Sequence, residues 1–280
     1  MASPKKPGGL EGLIDTLAEK IPSLARFGVW DPGTEHYDES LVRALSPVQE
    51  AISAYFNVEF RGLDKIADGG GLLVGNHGRT GYDAFVMPHL LGTQLGRPIR
   101  ALADRVLFRI PQLREWLAAM GAVPGTRENA IRLLREGNLV IVYPGGGNEV
   151  MKPHYEAYQL SWGKRTGFIR VAQAADVPIY PFAGVGVEEF FHNLPGWDAI
   201  ERSALAQWLE QAVGRRNRPM PPFAGIGPLP EPVDLTFLFG DPVSVSGAQD
   251  DRAALALQQG VRKQVLGLIR QGLAERPPKS

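Results

Sequence analysis

The segment G-L-L-V-G-N, residues 71–76, shows the unit from which the chain is built: a short apolar run that ends in glycine and a polar residue. Residues 138–144, N-L-V-I-V-Y-P, repeat this unit, and similar runs begin at residues 99, 177 and 233. Stretches with helical periodicity lie between the runs. This alternation is typical of a sheet whose parallel strands are connected by helices. The sequence therefore predicts an α/β fold with a central, mostly parallel sheet flanked by helices.

The boundaries of these elements follow from apolar periodicity and from capping residues. The predicted strands are 58–63, 71–76, 99–103, 138–144, 177–186 and 233–245. The predicted helices are 83–91, 105–119, 126–136, 164–175 and 250–274.

The region before the first strand has a different texture. Residues 1–9 are small, polar and rich in Pro and Gly, which predicts a mobile tail. Apolar residues recur at steps of three and four over 10–27 and again over 39–56, which predicts a pair of amphipathic helices. The mixed charges of the first helix favour packing on the protein over binding to anionic lipid. The predicted organisation is a tail, an N-terminal helical extension over 10–56 and an α/β domain over 57–280.

Composition excludes several classes of protein. A chain of 280 residues with 44% hydrophobic and 21% charged residues is globular, not disordered. Its 30 Lys and Arg are balanced by 30 Asp and Glu, so no bulk positive charge indicates a nucleic-acid partner. The lack of cysteine excludes disulfides and thiolate nucleophiles. No apolar run has the length of a signal peptide core or a spanning helix. We therefore expect a cytoplasmic protein, soluble or peripheral on the inner face of the membrane.

The stretch V-G-N-H-G-R-T-G-Y-D-A-F, residues 74–85, places His77 at the end of a predicted strand and Asp83 six residues later. Such strand ends are where α/β sheets hold their chemistry. A carboxylate beside an imidazole fixes the ring tautomer and stabilises the imidazolium, so the pair can act as a general base on a hydroxyl. The residues also fit a loop histidine followed by an aspartate that interacts with a helix dipole. The spacing alone leaves both interpretations open.

A second strand, V-Y-P-G-G-G-N-E-V at 142–150, runs into three adjacent glycines. Their backbone N–H groups can approach an anion closely, although a tight turn after a buried strand explains the same pattern. Walker A and G-x-G-x-x-G motifs are both missing, so a nucleotide site is not expected. The sequence also lacks G-x-S-x-G and the ligand spacing of a zinc site. We therefore predict neither a serine nucleophile nor a bound metal.

Positive charge is concentrated between His77 and Arg170, where thirteen Arg and Lys accompany seven Asp and Glu in a chain of zero formal charge. This segregation favours a phosphorylated ligand, although helices also carry surface arginine for solubility. The cations nearest to strand ends or loops are Arg105, Arg109, Arg127, Lys152, Lys164 and Arg165.

Together these blocks resemble the glycerolipid acyltransferases, most closely the branch related to monoacylglycerol and diacylglycerol acyltransferases. The family's first block is H-x4-D, which maps to His77 and Asp83 with one more intervening residue here. The family's acceptor-binding block and the strand after it are similar to 102–111 and 120–130. Its late blocks are similar to K-R-T-G-F-I-R-V-A, 164–172, and V-P-I-Y-P-F, 177–182. The resemblance covers about residues 60–275 and makes 57–280 an acyltransferase α/β domain.

The resemblance implies an O-acyltransferase that moves a fatty acyl group from acyl-CoA or acyl carrier protein to the hydroxyl of a glycerolipid or long-chain alcohol. His77 would be the base and Asp83 its orienting acid, with acyl-CoA as co-substrate and no further cofactor. The residues expected to bind substrate are Arg79, Arg105, Arg109, Gly145, Gly146, Gly147, Glu149, Lys164 and Arg165. Asn148 stands where phosphate-acceptor enzymes of the family carry Arg, which favours a neutral acceptor. The alternatives are a lysophospholipid or lysophosphatidate acyltransferase and a catalytically silent lipid-binding protein.

Residues 187–230 are less regular and rich in Trp, Phe and Pro. Such a segment can place an apolar face on a bilayer, where a lipid acceptor resides, or contribute its side chains to the core. The candidates for membrane contact include Phe190, Phe191, Leu194, Trp197, Trp208 and Phe223. The expected partners are therefore an acyl donor, a lipid acceptor and a membrane surface, with no nucleic acid.

Overall fold

The computed structural model describes residues 37–215, 223–224, 230–247 and 249–276. The predicted tail at 1–9 and the predicted helix at 10–27 lie outside these residues. Within them, a central sheet carries helices on both faces. No helix in this part of the chain combines the length and the apolar character needed to span a membrane.

The strands are β1 (Glu59–Arg61), β2 (Gly71–Gly75), β3 (Ile99–Ala103), β4 (Ala122–Pro124), β5 (Leu139–Val142), β6 (Ile179–Val185), β7 (His192–Asn193), β8 (Phe223–Ala224) and β9 (Thr236–Phe239). The α-helices are α1 (Glu39–Ala44), α2 (Ser46–Tyr55), α3 (Asp83–Leu95), α4 (Pro111–Ala119), α5 (Arg127–Arg135), α6 (Gly147–Val150), α7 (Gly167–Ala175), α8 (Trp197–Glu201), α9 (Ala204–Val213) and α10 (Asp251–Glu275). Short 3-10 turns occur at Leu63–Lys65, Arg79–Gly81, Leu107–Arg109 and His154–Glu156.

Seven strands form the central sheet in the order β1-β9-β6-β2-β5-β3-β4. The five strands from β6 to β4 are mutually parallel. Strand β9 is antiparallel to β6, and β1 pairs parallel to β9 with Glu59 opposite Thr236. The prediction of a mostly parallel sheet flanked by helices is confirmed.

Alternating side chains of the sheet face two separate hydrophobic clusters. Leu72 and Val74 of β2 belong to the cluster that includes residues of α5, α7 and α10. Leu73 belongs to the cluster on the other face, which includes residues of α2 and α3. This is the period-two pattern of a strand buried on both faces. All three side chains are fully buried, and burying a leucine or valine contributes about 1.5–3 kcal/mol.

Proline explains two differences between the predicted and observed helices. The pattern over 39–56 forms two helices, because Leu45 caps both α1 and α2 and a proline lies in the first turn of α2. The helix expected from residue 105 begins at Pro111, after a 3-10 turn. Proline has no N–H to donate into a preceding turn and is favoured at the first helical position.

Two further boundaries differ from prediction. The strand predicted over 233–245 is regular only as β9, and Val243 forms an isolated bridge with Ile179 beyond it. The helix predicted from residue 164 begins at Gly167, after the N-cap position at Thr166.

The chain leaves β6 into a segment that we call the α8–α9 excursion, residues 192–215. Phe190 precedes it and is fully buried, with edge-to-face contacts to Phe56 and Tyr82. The prediction that Phe190 contacts a bilayer is therefore wrong, because the ring belongs to the core. Phe191 is partly buried against the same cluster.

Candidate active site

The candidate site lies at the edge of the sheet where β2, β5 and β6 end. After Gly75, the backbone no longer pairs with β6, and the side-chain amide of Asn76 hydrogen-bonds to β6 in its place. Its Nδ2 donates to the Gly184 carbonyl at 2.9 Å, and the Gly184 N–H donates to its Oδ1 at 2.8 Å. The backbone can therefore turn out of the sheet at Asn76 while remaining tied to β6, and the turn begins with His77.

The His77 ring is held on one side by Asp83. Both carboxylate oxygens of Asp83 lie 3.0 Å from Nδ1 of His77, and one of them also accepts the Gly78 N–H at 3.2 Å. Both side chains are buried. A carboxylate on Nδ1 favours the tautomer with the proton on that nitrogen, which leaves Nε2 as a proton acceptor. The His77 ring also stacks on Tyr143 with a centroid separation of 4.0 Å.

The loop between His77 and Asp83 contains two consecutive residues in the left-handed region, Thr80 at φ 69° and Gly81 at φ 74°. A β-branched residue in this region is strained. These two residues turn the loop back so that five intervening residues still bring Asp83 to His77. A Cβ on Gly81 would lie 3.5 Å from Cε1 and 3.6 Å from Nε2 of His77, so any side chain at position 81 would contact the edge of the ring that carries Nε2.

The electrostatics of the site act on His77 in opposite directions. Burial lowers the pKa of His77, whereas Asp83 raises it by charge and by hydrogen bonding, and the net result is a raised pKa. Glu149 raises the same pKa and Lys152 lowers it. A buried imidazole with a raised pKa and one uncommitted nitrogen can remove a proton from a hydroxyl.

Glu149, in α6, fixes the backbone of His77. Its side chain is fully buried, with Oε2 accepting the His77 N–H at 2.8 Å and Oε1 accepting the Ser161 N–H at 2.9 Å. Burial raises the pKa of Glu149, and Lys152 opposes the rise. A Cβ at Gly145 would lie 2.3 Å from Cγ of Glu149, so the first glycine of the loop is needed for this buried carboxylate.

Glu188, just after β6, makes the matching contacts on the other side of the loop. It accepts the Arg79 N–H and the Tyr158 N–H, each at 3.2 Å, and forms an ion pair with Lys152. Both side chains of the ion pair are completely buried. Glu149 and Glu188 together form what we call the two-carboxylate cradle. It holds the start of the His77 loop against the 158–161 segment.

Both the sequence and the fold of the chain match those of known proteins. Residues 57–185 match the sequence model of the acyltransferase family. Residues 57–185 therefore belong to the acyltransferase family. The crystal structure of the lysophosphatidate acyltransferase PlsC from Thermotoga maritima matches this acyltransferase with a TM-score of 0.55 at 15% identity. That match covers 95% of this chain and 96% of the other, and it shows that the two share a fold.

Relatives in animals and mycobacteria also match the acyltransferase. Proteins of Mus musculus and Homo sapiens named "DGAT1/2-independent enzyme synthesizing storage lipids" are each 32% identical, over 191 and 192 residues. These matches cover 68% of this chain and 54% and 55% of the relatives, so the chain spans about half the length of these curated relatives. An uncharacterized protein of Mycobacterium tuberculosis is 27% identical over 264 residues, which cover 91% of this chain and 70% of that protein.

The remaining predicted site residues of the acyltransferase fall into two groups. Arg105, Arg109 and Lys164 are exposed beyond strand ends. Arg79 is buried, where Nε donates to the Lys152 carbonyl at 3.1 Å and Nη2 donates to Asn193 at 2.7 Å. The role of these residues in substrate binding stays a prediction.

The Gly145–Gly147 turn is fixed from outside by Arg165. The guanidinium donates to the carbonyls of Pro144 and Gly145, both at 2.7 Å. Gly146 has φ 49° and ψ −138°, a combination that glycine alone adopts readily. Arg165 and the glycines therefore shape the turn that packs beside the His77 loop.

Two residues of the site were not anticipated. Glu188 lies 111 residues after His77 in a stretch without a motif, so nothing in the sequence marks it. Tyr143 precedes the glycines, and its stacking on His77 joins residues that are far apart in the chain, so no local pattern marks it. Its hydroxyl is buried, and burial together with the Asp83 charge raises the pKa of Tyr143 well above its usual value.

His89 is not part of this arrangement. Burial lowers the pKa of His89 to about 4, and this residue lies in α3 away from the strand ends. Among the described residues, no three His, Cys, Asp or Glu side chains are grouped so as to hold a metal ion.

Proposed function

We propose that this acyltransferase moves a fatty acyl group from a thioester donor, acyl-CoA or acyl carrier protein, to the hydroxyl of a neutral glycerolipid or long-chain alcohol. The observation that carries the proposal is the buried His77–Asp83 pair, in which Asp83 engages Nδ1 and leaves Nε2 to accept a proton. Family membership supports acyl transfer to a lipid. We infer the donor and the acceptor from the pattern of charges and motifs.

The proposed reaction needs no covalent enzyme intermediate. Nε2 of His77 takes the proton as the acceptor oxygen attacks the thioester carbonyl carbon, which gives a tetrahedral intermediate with a negatively charged oxygen. The intermediate collapses by breaking the carbon–sulfur bond, and the imidazolium returns the proton to the departing thiolate. Asp83 stabilises the imidazolium in between. The products are an ester and a free thiol.

The donor is expected to bind beside the exposed cations of the same edge. Arg105 and Arg109 follow β3, and Lys164 precedes α7. Phosphate groups are common to coenzyme A and to the prosthetic arm of acyl carrier protein, and arginine binds phosphate with two parallel hydrogen bonds. Incubation of the protein with labelled acyl-CoA and a mixture of acceptors, followed by lipid product analysis, tests the function directly. An ester product that requires His77 supports it.

The residue at position 148 predicts the class of acceptor. Asn148 lacks the charge that a phosphate acceptor would pair with, so kcat/KM for monoacylglycerol should exceed that for lysophosphatidate. A hydrogen bond to a charged group contributes about 1.5–3 kcal/mol, which corresponds to roughly 10- to 150-fold. Asn148→Arg should lower the ratio of kcat/KM for monoacylglycerol to kcat/KM for lysophosphatidate by a factor in this range. Asn148→Gln is the matched uncharged control.

The opposite ranking would favour the alternative, a lysophosphatidate acyltransferase, which the shared fold with PlsC makes the second candidate. A protein that binds lipid but forms no ester with any acceptor would favour the catalytically silent alternative.

The raised pKa of His77 predicts the pH dependence of turnover. The base must be neutral, so kcat/KM should fall with decreasing pH through a value above the ordinary histidine pKa of about 6.5. Asp83→Asn removes the largest influence that raises this pKa and leaves burial, which lowers it. The acid limb of the variant should therefore move to lower pH, with a lower plateau because the tautomer is no longer fixed. A pH–rate profile with an unmoved acid limb would contradict the assignment of that limb to His77.

A further inference from the structure

Helix α9 presents large apolar side chains to the outside of the molecule. The exposed fractions are 66% for Leu205, 61% for Trp208 and 42% for Leu209, and Ile200 of α8 is 52% exposed. No residue of α9 is buried. Positions 205, 208 and 209 share one face of a helix. We call these four side chains the outer patch.

The excursion that carries the outer patch is fastened to the candidate site. Asn193 accepts a hydrogen bond from Arg79, two residues after His77. The His154 N–H donates to Glu201, and Arg215 pairs with Glu156, so the middle and the last residue of the excursion are tied to the 154–156 turn. That turn follows the glycine loop. The outer patch therefore belongs to the same edge of the protein as His77.

A second group of apolar side chains lies on the β3 side of this edge. The exposed fractions are 54% for Val106, 51% for Ile110 and 39% for Phe85. The cations Arg105 and Arg109 alternate with them and are also exposed. Apolar side chains next to arginine suit the boundary between the acyl chains and the phosphate groups of a bilayer.

The size of the outer patch distinguishes a bilayer from a second copy of the chain. A ten-residue helix is about 15 Å long, so one face of α9 and one side chain of α8 offer a few hundred Å² at most. A stable protein interface needs about 800 Å² from each partner. A bilayer accepts a small apolar helix face without a complementary surface.

We propose that the α8–α9 excursion docks on a lipid bilayer through the outer patch, with the β3-side apolar group as a second point of contact. This orientation turns the edge that holds His77 toward the membrane. The inference rests on the proposed function in one respect, because a lipid acceptor has to be taken from that membrane.

Co-sedimentation with vesicles tests the docking surface. The full chain is mixed with vesicles of phosphatidylcholine containing about 30% phosphatidylglycerol. The variant Leu205→Ser/Trp208→Ser/Leu209→Ser should bind at least about tenfold more weakly than the wild type, since binding follows the buried apolar area. The matched control, Gln207→Ser/Gln211→Ser, changes exposed polar positions of the same helix and should bind like the wild type. Circular dichroism checks that all three proteins are equally folded.

A second measurement does not depend on the triple variant. Vesicles with brominated acyl chains should quench tryptophan fluorescence of the wild type, and Trp208→Phe should lose most of this quenching. Equal vesicle binding by the triple variant and the wild type would overturn the proposal. So would quenching that persists without Trp208, or a concentration-dependent dimer that the triple variant alone abolishes.

Turnover of a short-chain, water-soluble acceptor separates docking from chemistry. The triple variant should keep wild-type turnover with that acceptor. If vesicle binding depends on the outer patch but the protein forms no ester, the docking surface is supported and the proposed function is refuted.

Discussion

Replacement of His77 by alanine is expected to lower kcat about 10²–10⁴-fold, the usual contribution of a positioned general base. The physical reason is that Asp83 engages Nδ1 of His77, so Nε2 is the ring nitrogen that can accept the proton. Single-turnover measurements with radiolabelled acyl-CoA detect a loss of this size. KM for the donor should change little, because His77 acts on the acceptor hydroxyl.

His192→Ala is the control for this experiment. His192 also faces a carboxylate, Glu231 at 2.8 Å, but its side chain is 52% exposed and outside the strand-end arrangement. Turnover of this variant should match that of the wild type. Wild-type turnover by His77→Ala would end the proposed mechanism, whereas an equal loss in both variants would indicate a general effect on the fold.

Replacement of Glu188 by alanine is expected to lower the free energy of unfolding by about 3–5 kcal/mol. The substitution leaves the buried ammonium group of Lys152 without its counterion. It also leaves the N–H groups of Arg79 and Tyr158 without their acceptor. Globular proteins are stable by only about 5–15 kcal/mol, so the change is large. Urea unfolding followed by circular dichroism measures it.

Two further variants identify the cause of such a loss. Glu39→Ala removes one partner of an exposed ion pair with Arg43 and should leave the unfolding midpoint nearly unchanged. Lys152→Met in the Glu188→Gln background removes the stranded charge and should recover part of the stability, because neither buried position then carries an ion. An unfolding midpoint of Glu188→Ala equal to that of the wild type would show that the cradle does not stabilise the fold.

The sheet was predictable because its strands are buried on both faces and end in glycine or polar residues. This pattern is local, so each strand can be located from its own residues. The family resemblance implied the approach of Asp83 to His77, whereas the spacing alone left open an aspartate that only interacts with a helix dipole. The left-handed conformation of Thr80 and Gly81 was not predictable, because an isolated threonine gives no sequence signal for such a conformation.

The rest of the site depends on contacts between residues far apart in the chain. Glu188 contacts the His77 loop only because β6 lies beside β2 in the sheet. The order of strands in a sheet cannot be deduced from the sequence of any single segment. The break at Pro111, in contrast, was available from the sequence, since proline marks a helix start. In the aromatic segment after β6, Phe190 lies in the core and Trp208 lies at the surface. Composition alone does not distinguish these two positions.

The pairing of β1 with β9 has a consequence for the order in which the protein is assembled during synthesis. Residues 59 and 236 face each other, and ribosomes add about 5–20 residues per second, so β1 leaves the ribosome roughly 9–35 seconds before its partner exists. Every group of the candidate site, from Asn76 to Glu188, is made within that interval. The nascent chain can therefore assemble the candidate site while one border of the sheet is still unpaired. We expect Phe60, which stacks on Phe237 in the finished protein, to need protection by a chaperone until the last strand arrives.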